Sequence, residues 1–224
     1  MKRIATITAL LLAAVAAVAQ TGGSVFSFMG VPVDGTKEQM FLSLNKKGLE
    51  TRTFFSKEYL WGTFNGEYVE VNVFTNGGKV DRINVKYPYC SESNDTRIKY
   101  NMLLSRFGRN HKYVSLFRRD ELPVGEDISM KIYGNTKYYD EAFFFLKSSV
   151  DAQGWKDGLK ADYEQHYGRP MATMPYEELE EALFSLPDKY WKAVGGIVWF
   201  TMTSVNQIEI NYINLKNRPK GEDL

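Results

Sequence analysis

Residues 60–86 read LWGTFNGEYVEVNVFTNGGKVDRINVK, and this stretch decides the fold. Apolar and polar residues alternate from Glu67 to Thr75, which is typical of a strand with one buried face. Asn65-Gly66 predicts a two-residue hairpin turn, because both central positions of that turn need positive φ. Asn76-Gly77-Gly78 predicts a second turn. The stretch is therefore expected to form three antiparallel strands that follow one another in the sheet.

The lengths of the two turns set the register of these strands. A two-residue loop at Asn65-Gly66 places Leu60 opposite Val71, and a three-residue loop at 76–78 places Val71 opposite Ile83. These residues then share one apolar face, while the polar residues between them share the other. A shift of one residue would turn Ile83 to the polar face, so the apolar pattern favours this register.

A helix is predicted before the three strands and another after them. Thr36-Lys37-Glu38-Gln39 fits a capping box, which predicts a helix at 36–47. Asp95 or Thr96 is expected to cap the second helix, which ends at Phe107 and carries one apolar stripe. A strand-like segment follows each helix. This order suggests a duplicated unit of a helix followed by antiparallel strands.

The rest of the chain adds two hairpins and a helical region. Residues 128–147 predict a hairpin, and residues 150–192 predict a helical insertion. The closing hairpin is expected at 197–215, where a three-residue loop places Phe200 opposite Ile210. Together the elements predict an α+β protein with an antiparallel β-sheet.

The predicted sheet is built from two helix-plus-β-meander units, with the helical insertion in the second. We expect the first unit at residues 20–88 and the second at residues 89–224.

Residues 1–19 have the layout of a signal peptide. Met1-Lys2-Arg3 is basic, Ile4 to Val18 is apolar, and Ala17-Val18-Ala19 is a small-x-small end. The apolar run is about 16 residues long, whereas a membrane-spanning helix needs roughly 20. We expect cleavage after Ala19, a periplasmic or secreted protein, and no membrane anchor after cleavage. An uncleaved anchor is the alternative.

Charge argues against two classes of partner, and cysteine content argues against an internal disulfide. Removing Lys2 and Arg3 leaves 26 of 28 basic residues against 27 acidic ones, a net charge near −1. This balance argues against nucleic acid and against an anionic membrane surface as partners. Cys90 is the only cysteine, so no internal disulfide is expected. It is interpreted as a half-buried thiol, with a reactive or intermolecular thiol as the alternative.

The sequence carries no recognisable catalytic or metal-binding motif. His111 and His166 are the only histidines, they are 55 residues apart, and no Cys, Asp or Glu lies at metal-ligand spacing beside both of them. No Gly-x-Ser-x-Gly elbow, glycine-rich phosphate loop or calcium loop is present. The acidic residues lie where solvated charge is expected. We therefore expect no enzymatic activity, no catalytic residues, no cofactor and no metal.

One face of the predicted sheet is a candidate binding surface. The register places it opposite Val69 and Val71, and it carries four aromatic and two polar residues. Either helices cover the valine face and leave these side chains exposed, or the aromatic side chains are themselves buried. The six candidates are Tyr59, Trp61, Tyr68, Glu70, Asn72 and Phe74.

The best-defined part of the chain resembles known exported proteins. Gly35-Thr36, Leu60-x-Gly62-x-Phe64-Asn65-Gly66, the strand at 69–75 and Lys79-Val80-x-x-Ile83-x-Val85 resemble a pattern in exported bacterial proteins of unknown function. The order of helix and meander, taken twice, is similar to the β-lactamase-inhibitor-protein-like fold and its outer-membrane-assembly lipoprotein relatives. This resemblance implies binding of other proteins through an exposed sheet face. It transfers no catalytic residue.

Three classes of function follow from these observations. The leading hypothesis is an exported non-catalytic protein that binds another envelope or secreted protein through its sheet face. The alternatives are a glycan-binding module that uses the exposed aromatics and a hydrolase with an unrecognised carboxylate site. A glycan binder should show open Trp and Tyr rings in a groove. An enzyme should show two acids that converge in a pocket.

Overall fold

A single antiparallel sheet runs through both halves of the chain in the computed structural model, which describes residues 25–115, 122, 128, 142–146, 152–170, 195–203 and 206–217. The described helices are α1 (Lys37–Asn45), α2 (Ser93–Arg109) and α3 (Ala152–Tyr167). The described strands are β1 (Ser27–Phe28), β2 (Val31–Pro32), β3 (Glu50–Phe54), β4 (Lys57–Phe64), β5 (Glu67–Asn76), β6 (Lys79–Lys86), β7 (Tyr113–Ser115), β8 (Ala142–Leu146), β9 (Gly196–Thr203) and β10 (Gln207–Asn214).

The sheet is two four-stranded meanders joined edge to edge. Its eight strands follow the order β3-β4-β5-β6-β10-β9-β8-β7, and every neighbouring pair is antiparallel. The last strands of the two meanders, β6 and β10, form the junction. One helix precedes each meander, α1 the first and α2 the second. The predicted α+β class and its antiparallel sheet are confirmed.

The turn residues predicted two of three hairpin registers correctly. Leu60 pairs with Val71, and Phe200 pairs with Ile210. The three-residue loop at 76–78 was wrong, because Gly77 and Gly78 form a two-residue turn with φ of 54° and 77°. A bulge beside Thr75 then shifts the pairing again, so Val71 faces Val85. The total shift is two residues, and the valine face is therefore preserved.

Only the ends of the predicted hairpin at 128–147 fall on described residues. Ile128 lies in no strand, and β8 occupies residues 142–146, where it pairs with β7 on one side and with β9 on the other. Residues 129–141, where the two strands of the hairpin would pair, lie outside the described residues, so the hairpin stays a prediction.

The helices begin close to the predicted positions. In α1 the backbone N–H of Gln39 donates to Thr36 Oγ1 at 3.3 Å, and the Thr36 N–H donates to Gln39 Oε1 at 3.1 Å, so the capping box is confirmed. α2 begins at Ser93, earlier than predicted. The Thr96 hydroxyl does not cap it but donates to the Glu92 carbonyl at 3.2 Å.

Part of the predicted helical insertion is present as α3, at residues 152–167. The remainder of the insertion, residues 171–192, lies outside the described residues, as does the signal peptide predicted at 1–19. The predicted boundary between the two units, at 88 and 89, falls between β6 and α2. Among the helices of the described ranges, none is long and apolar enough to cross a membrane.

Both helices that precede a meander pack on the same side of the sheet, which we call the helix side. Val69 and Val71 are fully buried there, whereas Glu70 and Asn72 point to the opposite face. The predicted valine face is therefore the core. The side chains that α1 and α2 add to it are Met40, Phe41, Leu44, Tyr100, Leu103 and Phe107.

The segment before α1 closes one end of the helix side. The Phe28 ring lies 5.0 Å from the ring of Tyr212 and 5.1 Å from that of Phe64. Asn214 Nδ2 donates to the Val33 carbonyl at 2.6 Å, which ties β10 to this segment. A side chain at Gly196 would overlap the Phe26 ring. The segment is thus packed across both halves of the sheet, and among the described strands β1 and β2 pair with each other alone.

Buried tyrosines predict a loss of stability at alkaline pH. Burial raises the pKa of Tyr87 to about 12, and burial also raises the pKa values of Tyr113 and Tyr212. An unfolded tyrosine ionises near pH 10, so between about pH 10 and 12 the unfolded state loses its protons first. The contribution of Tyr87 to stability should be complete below pH 10 and be lost above it, by roughly 2–3 kcal/mol once the pH passes about 12 and by about half of that at pH 11.

Urea denaturation at neutral pH and at about pH 11 measures this loss. The Tyr87→Phe variant is the control, because it removes one ionisable group and should flatten part of the pH dependence. Equal pH dependence of the variant and the parent chain would contradict the assignment to Tyr87.

Candidate functional site

The six predicted surface residues all lie on the sheet face opposite the helices, which we call the outer face. Tyr59, Trp61, Tyr68, Glu70, Asn72 and Phe74 alternate with the core residues of β4 and β5. Tyr68 is 62% exposed and Phe74 is 41% exposed, while the other four are half-buried. The structure thus places the predicted residues together, with their two most exposed rings towards opposite ends of β5.

Arg52, Trp61 and Tyr68 form a layered stack across three neighbouring strands. The Arg52 guanidinium carbon lies 5.1 Å from the Trp61 ring centre. The Trp61 and Tyr68 rings are 6.0 Å apart with planes inclined by 13°. β3 and β5 lie on opposite sides of β4, so the indole has a cation from one neighbouring strand and a second ring from the other beside it.

A second arginine–aromatic pair lies further along β5. Phe74 pairs directly with Arg82 of β6, and the guanidinium carbon lies 4.2 Å from the ring centre. Arg82 was not predicted, because the three-residue loop at 76–78 placed another residue opposite Phe74. Arg52 was not predicted, because no strand was expected at β3. Even the correct two-residue turn would by itself place Asp81 opposite Phe74, so Arg82 reaches Phe74 only through the bulge beside Thr75, which no turn residue signals.

Hydrogen-bonded polar side chains lie between the two arginine–aromatic groups. Asn84 Nδ2 donates to Glu209 Oε2 at 2.7 Å and to Asn211 Oδ1 at 3.0 Å, which links β6 to β10. Asn72 Nδ2 donates to Glu70 Oε1 at 2.8 Å. These contacts hold the amide and carboxylate groups in place, so the outer face is ordered across the junction of the two meanders.

An exposed aromatic pair at the rim of the outer face was not predicted. Phe54 and Phe55, at the β3–β4 turn, are 66% and 86% exposed, and their rings meet edge to face at 4.5 Å. Phe55 and Ser56 have φ of 44° and 63°, a conformation that Asn65 and Gly66 adopt in the next turn of the sheet. Phe54 follows Arg52 by two residues and therefore shares the outer face.

The described part of the chain shows none of the arrangements that a metal site requires. No group of three or more His, Cys, Asp or Glu side chains within it could hold a metal ion. His111 lies in the turn that follows α2, and His166 lies on α3. Both side chains are exposed. Cys90 is a half-buried free thiol.

Comparison with models of known protein families, with curated protein sequences and with solved structures gives no match to this chain. Its geometry is therefore the basis for a functional proposal.

Proposed function

We propose that this chain is an exported, non-catalytic protein whose outer face binds another envelope or secreted protein. The observation that supports this is the pairing of exposed aromatic rings with arginines, Tyr68 with Trp61 and Arg52 at one end and Phe74 with Arg82 at the other. Tyrosine, tryptophan and arginine are the residues most enriched among those that dominate protein–protein binding energy.

The side chains of the outer face are already held in place, which reduces the entropic cost of binding a partner and so favours tight binding. Each arginine already rests on a ring, and the amides between the two groups are already hydrogen-bonded. Side chains that are ordered before binding lose less conformational entropy when a partner arrives. The resemblance of the sequence to the β-lactamase-inhibitor-protein-like group, whose members bind proteins through a sheet face, is a second reason for this proposal.

The stack at Trp61 argues against the glycan-binding alternative. A sugar ring binds by lying flat on an open aromatic face. Trp61 is half-buried and the Arg52 guanidinium lies over its ring, so the indole does not offer an open platform. A protein partner can use the rings of Tyr68 and Trp61 together with the Arg52 guanidinium.

The test compares two exposed tyrosines. Purified mature chain is used to recover binding proteins from the envelope of the exporting cell. Tyr68→Ala should weaken binding of the main partner by about 10- to 100-fold, the range expected for a dominant interface residue. Tyr89→Ala is the matched control, since Tyr89 is 68% exposed but lies in the loop after β6.

Both variants should unfold at nearly the same temperature as the parent chain, because both side chains are mostly exposed. Equal recovery of every protein by the Tyr68→Ala and Tyr89→Ala variants would refute binding through the outer face. Loss of binding to immobilised glycans in Tyr68→Ala alone would favour the glycan alternative instead.

A further inference from the structure

β3 is an edge strand with no partner on one side among the described strands. It pairs only with β4, and all five of its side chains are exposed. Its sequence, Glu50-Thr51-Arg52-Thr53-Phe54, contains no proline, and its pairing with β4 contains no bulge. Proline and bulges are two common means of preventing a further strand from pairing with an edge.

The β3–β4 turn shows which backbone groups of the edge point outward. Phe55 and Ser56 form a two-residue loop, so the flanking residues Phe54 and Lys57 are a hydrogen-bonded pair. Hydrogen-bonded positions alternate along an antiparallel strand. The backbone N–H and C=O groups of Thr51 and Thr53 therefore point away from β4.

The charges of β3 are complementary to a second copy of the same strand. A two-fold axis can place the Thr51 residues of two β3 strands directly opposite each other. The backbone N–H of each Thr51 then donates to the carbonyl of the other. Glu50 then lies opposite Arg52 of the second copy, twice by symmetry. A two-fold axis through Thr53 would instead place Arg52 opposite Phe54. Within each chain the Arg52 guanidinium already lies 3.5 Å from the Glu50 carboxylate. The first register brings an opposite charge of the second copy to each of these groups and the second register brings none, so the first is favoured.

The same register provides a place for the exposed Phe54 ring. It sets Phe54 opposite Gly48 of the second copy, two residues before β3. A Cβ added at Gly48 would have no heavy atom within 4 Å, so the space beside it is open. The ring, now 66% exposed, would cover that space.

A lipid surface fits this edge less well than a second copy does. The hairpin at 50–58 carries Glu50 and Glu58 against Arg52 and Lys57, a net charge of zero, and so gains nothing from anionic lipid. Hydrocarbon also offers no hydrogen-bond partner to the outward groups of Thr51 and Thr53.

We propose that the protein forms a two-fold dimer in which the β3 strands of two copies pair antiparallel about Thr51. The two eight-stranded sheets become one continuous sheet, and the two outer faces lie on the same side of it. The dimer does not depend on the proposed function, because the purified chain alone forms it. If the outer face does bind a partner, the dimer presents two such faces and binds with higher avidity.

The first experiment measures the mass of the purified mature chain in solution as a function of concentration. The parent chain should be a dimer. Glu50→Arg and Arg52→Glu should each weaken the dimer by about 10-fold or more, because two attractive pairs become repulsive. The double variant, Glu50→Arg with Arg52→Glu, should restore it. Glu58→Arg, on β4, is the charge control and should leave the dimer unchanged.

The second experiment tests the register with cysteines in a Cys90→Ser background. Thr51→Cys places two thiols on residues about 5.5 Å apart between Cα atoms, within the range that a disulfide spans. Mild oxidation should link the Thr51→Cys chains. Thr53→Cys is the matched control and should not link, since it lies opposite Leu49 of the second copy.

If the chain stays monomeric at every concentration up to about 1 mM, the proposal is overturned, because a dimer with a weaker dissociation constant would be negligible. Failure of the double variant to restore the dimer, or equal linking of Thr51→Cys and Thr53→Cys, would overturn the register and with it the inference.

Discussion

Replacing Val71 with aspartate should unfold the protein. Val71 is fully buried in the middle of β5, between Leu60 on β4 and Val85 on β6. A carboxylate there would have apolar neighbours on both sides and no cation to pair with, at a cost of more than about 4 kcal/mol. That is comparable to the total stability of many domains, about 5–15 kcal/mol.

The matched control is Phe74→Asp on the same strand. Phe74 lies on the outer face, is partly exposed and pairs with Arg82. An aspartate carboxylate there would stay in contact with water and would lie beside the Arg82 guanidinium. Circular dichroism and thermal unfolding of the two variants measure the difference. Equal loss of structure in both would mean that the helix side is not the core.

Phe200→Ala should have the second largest effect, a loss of about 3–5 kcal/mol. Phe200 is fully buried on β9, where its ring lies 4.7 Å from the ring of Phe107 and 5.5 Å from that of Phe144. These three rings join α2, β8 and β9. Truncation would leave a cavity at the point where the second meander meets its helix, and the well-packed surroundings would not close it fully.

Urea denaturation measures this loss as a lower midpoint with an unchanged slope. Phe55→Ala is the matched control, because Phe55 is almost fully exposed and its removal should change stability by less than about 0.5 kcal/mol. A Phe200→Ala variant within 1 kcal/mol or so of the parent chain would contradict the role of this ring cluster.

Local patterns predicted the parts of the fold that depend on neighbouring residues. The capping box at Thr36 and the Asn65-Gly66 turn were both correct, because each involves residues within one turn of the chain. The turn at 76–78 was misjudged by one residue, since Gly77 and Gly78 alone can supply both positive φ values. The bulge beside Thr75 carries no recognisable turn signal, and the sequence analysis missed it for that reason.

The candidate surface was predicted only in part for a similar reason. Alternation along β4 and β5 was sufficient to place Trp61 and Tyr68 on one face. The contribution of Arg52 depends on β3, a short exposed strand with no buried face and hence no alternation to detect. Phe54 and Phe55 were missed together with it.

The sequence by itself determined which residues of the strands at 60–86 and of the closing hairpin face the core, because turn residues and a period of two act over a few positions of the chain. Only the tertiary structure decided that β6 pairs with β10 and that Arg52 and Tyr68 both lie beside the Trp61 ring. The junction joins strands about 125 residues apart, as the contact from Asn84 to Glu209 shows. No local preference encodes such a pairing, which forms because it buries the apolar faces of both meanders beneath their helices.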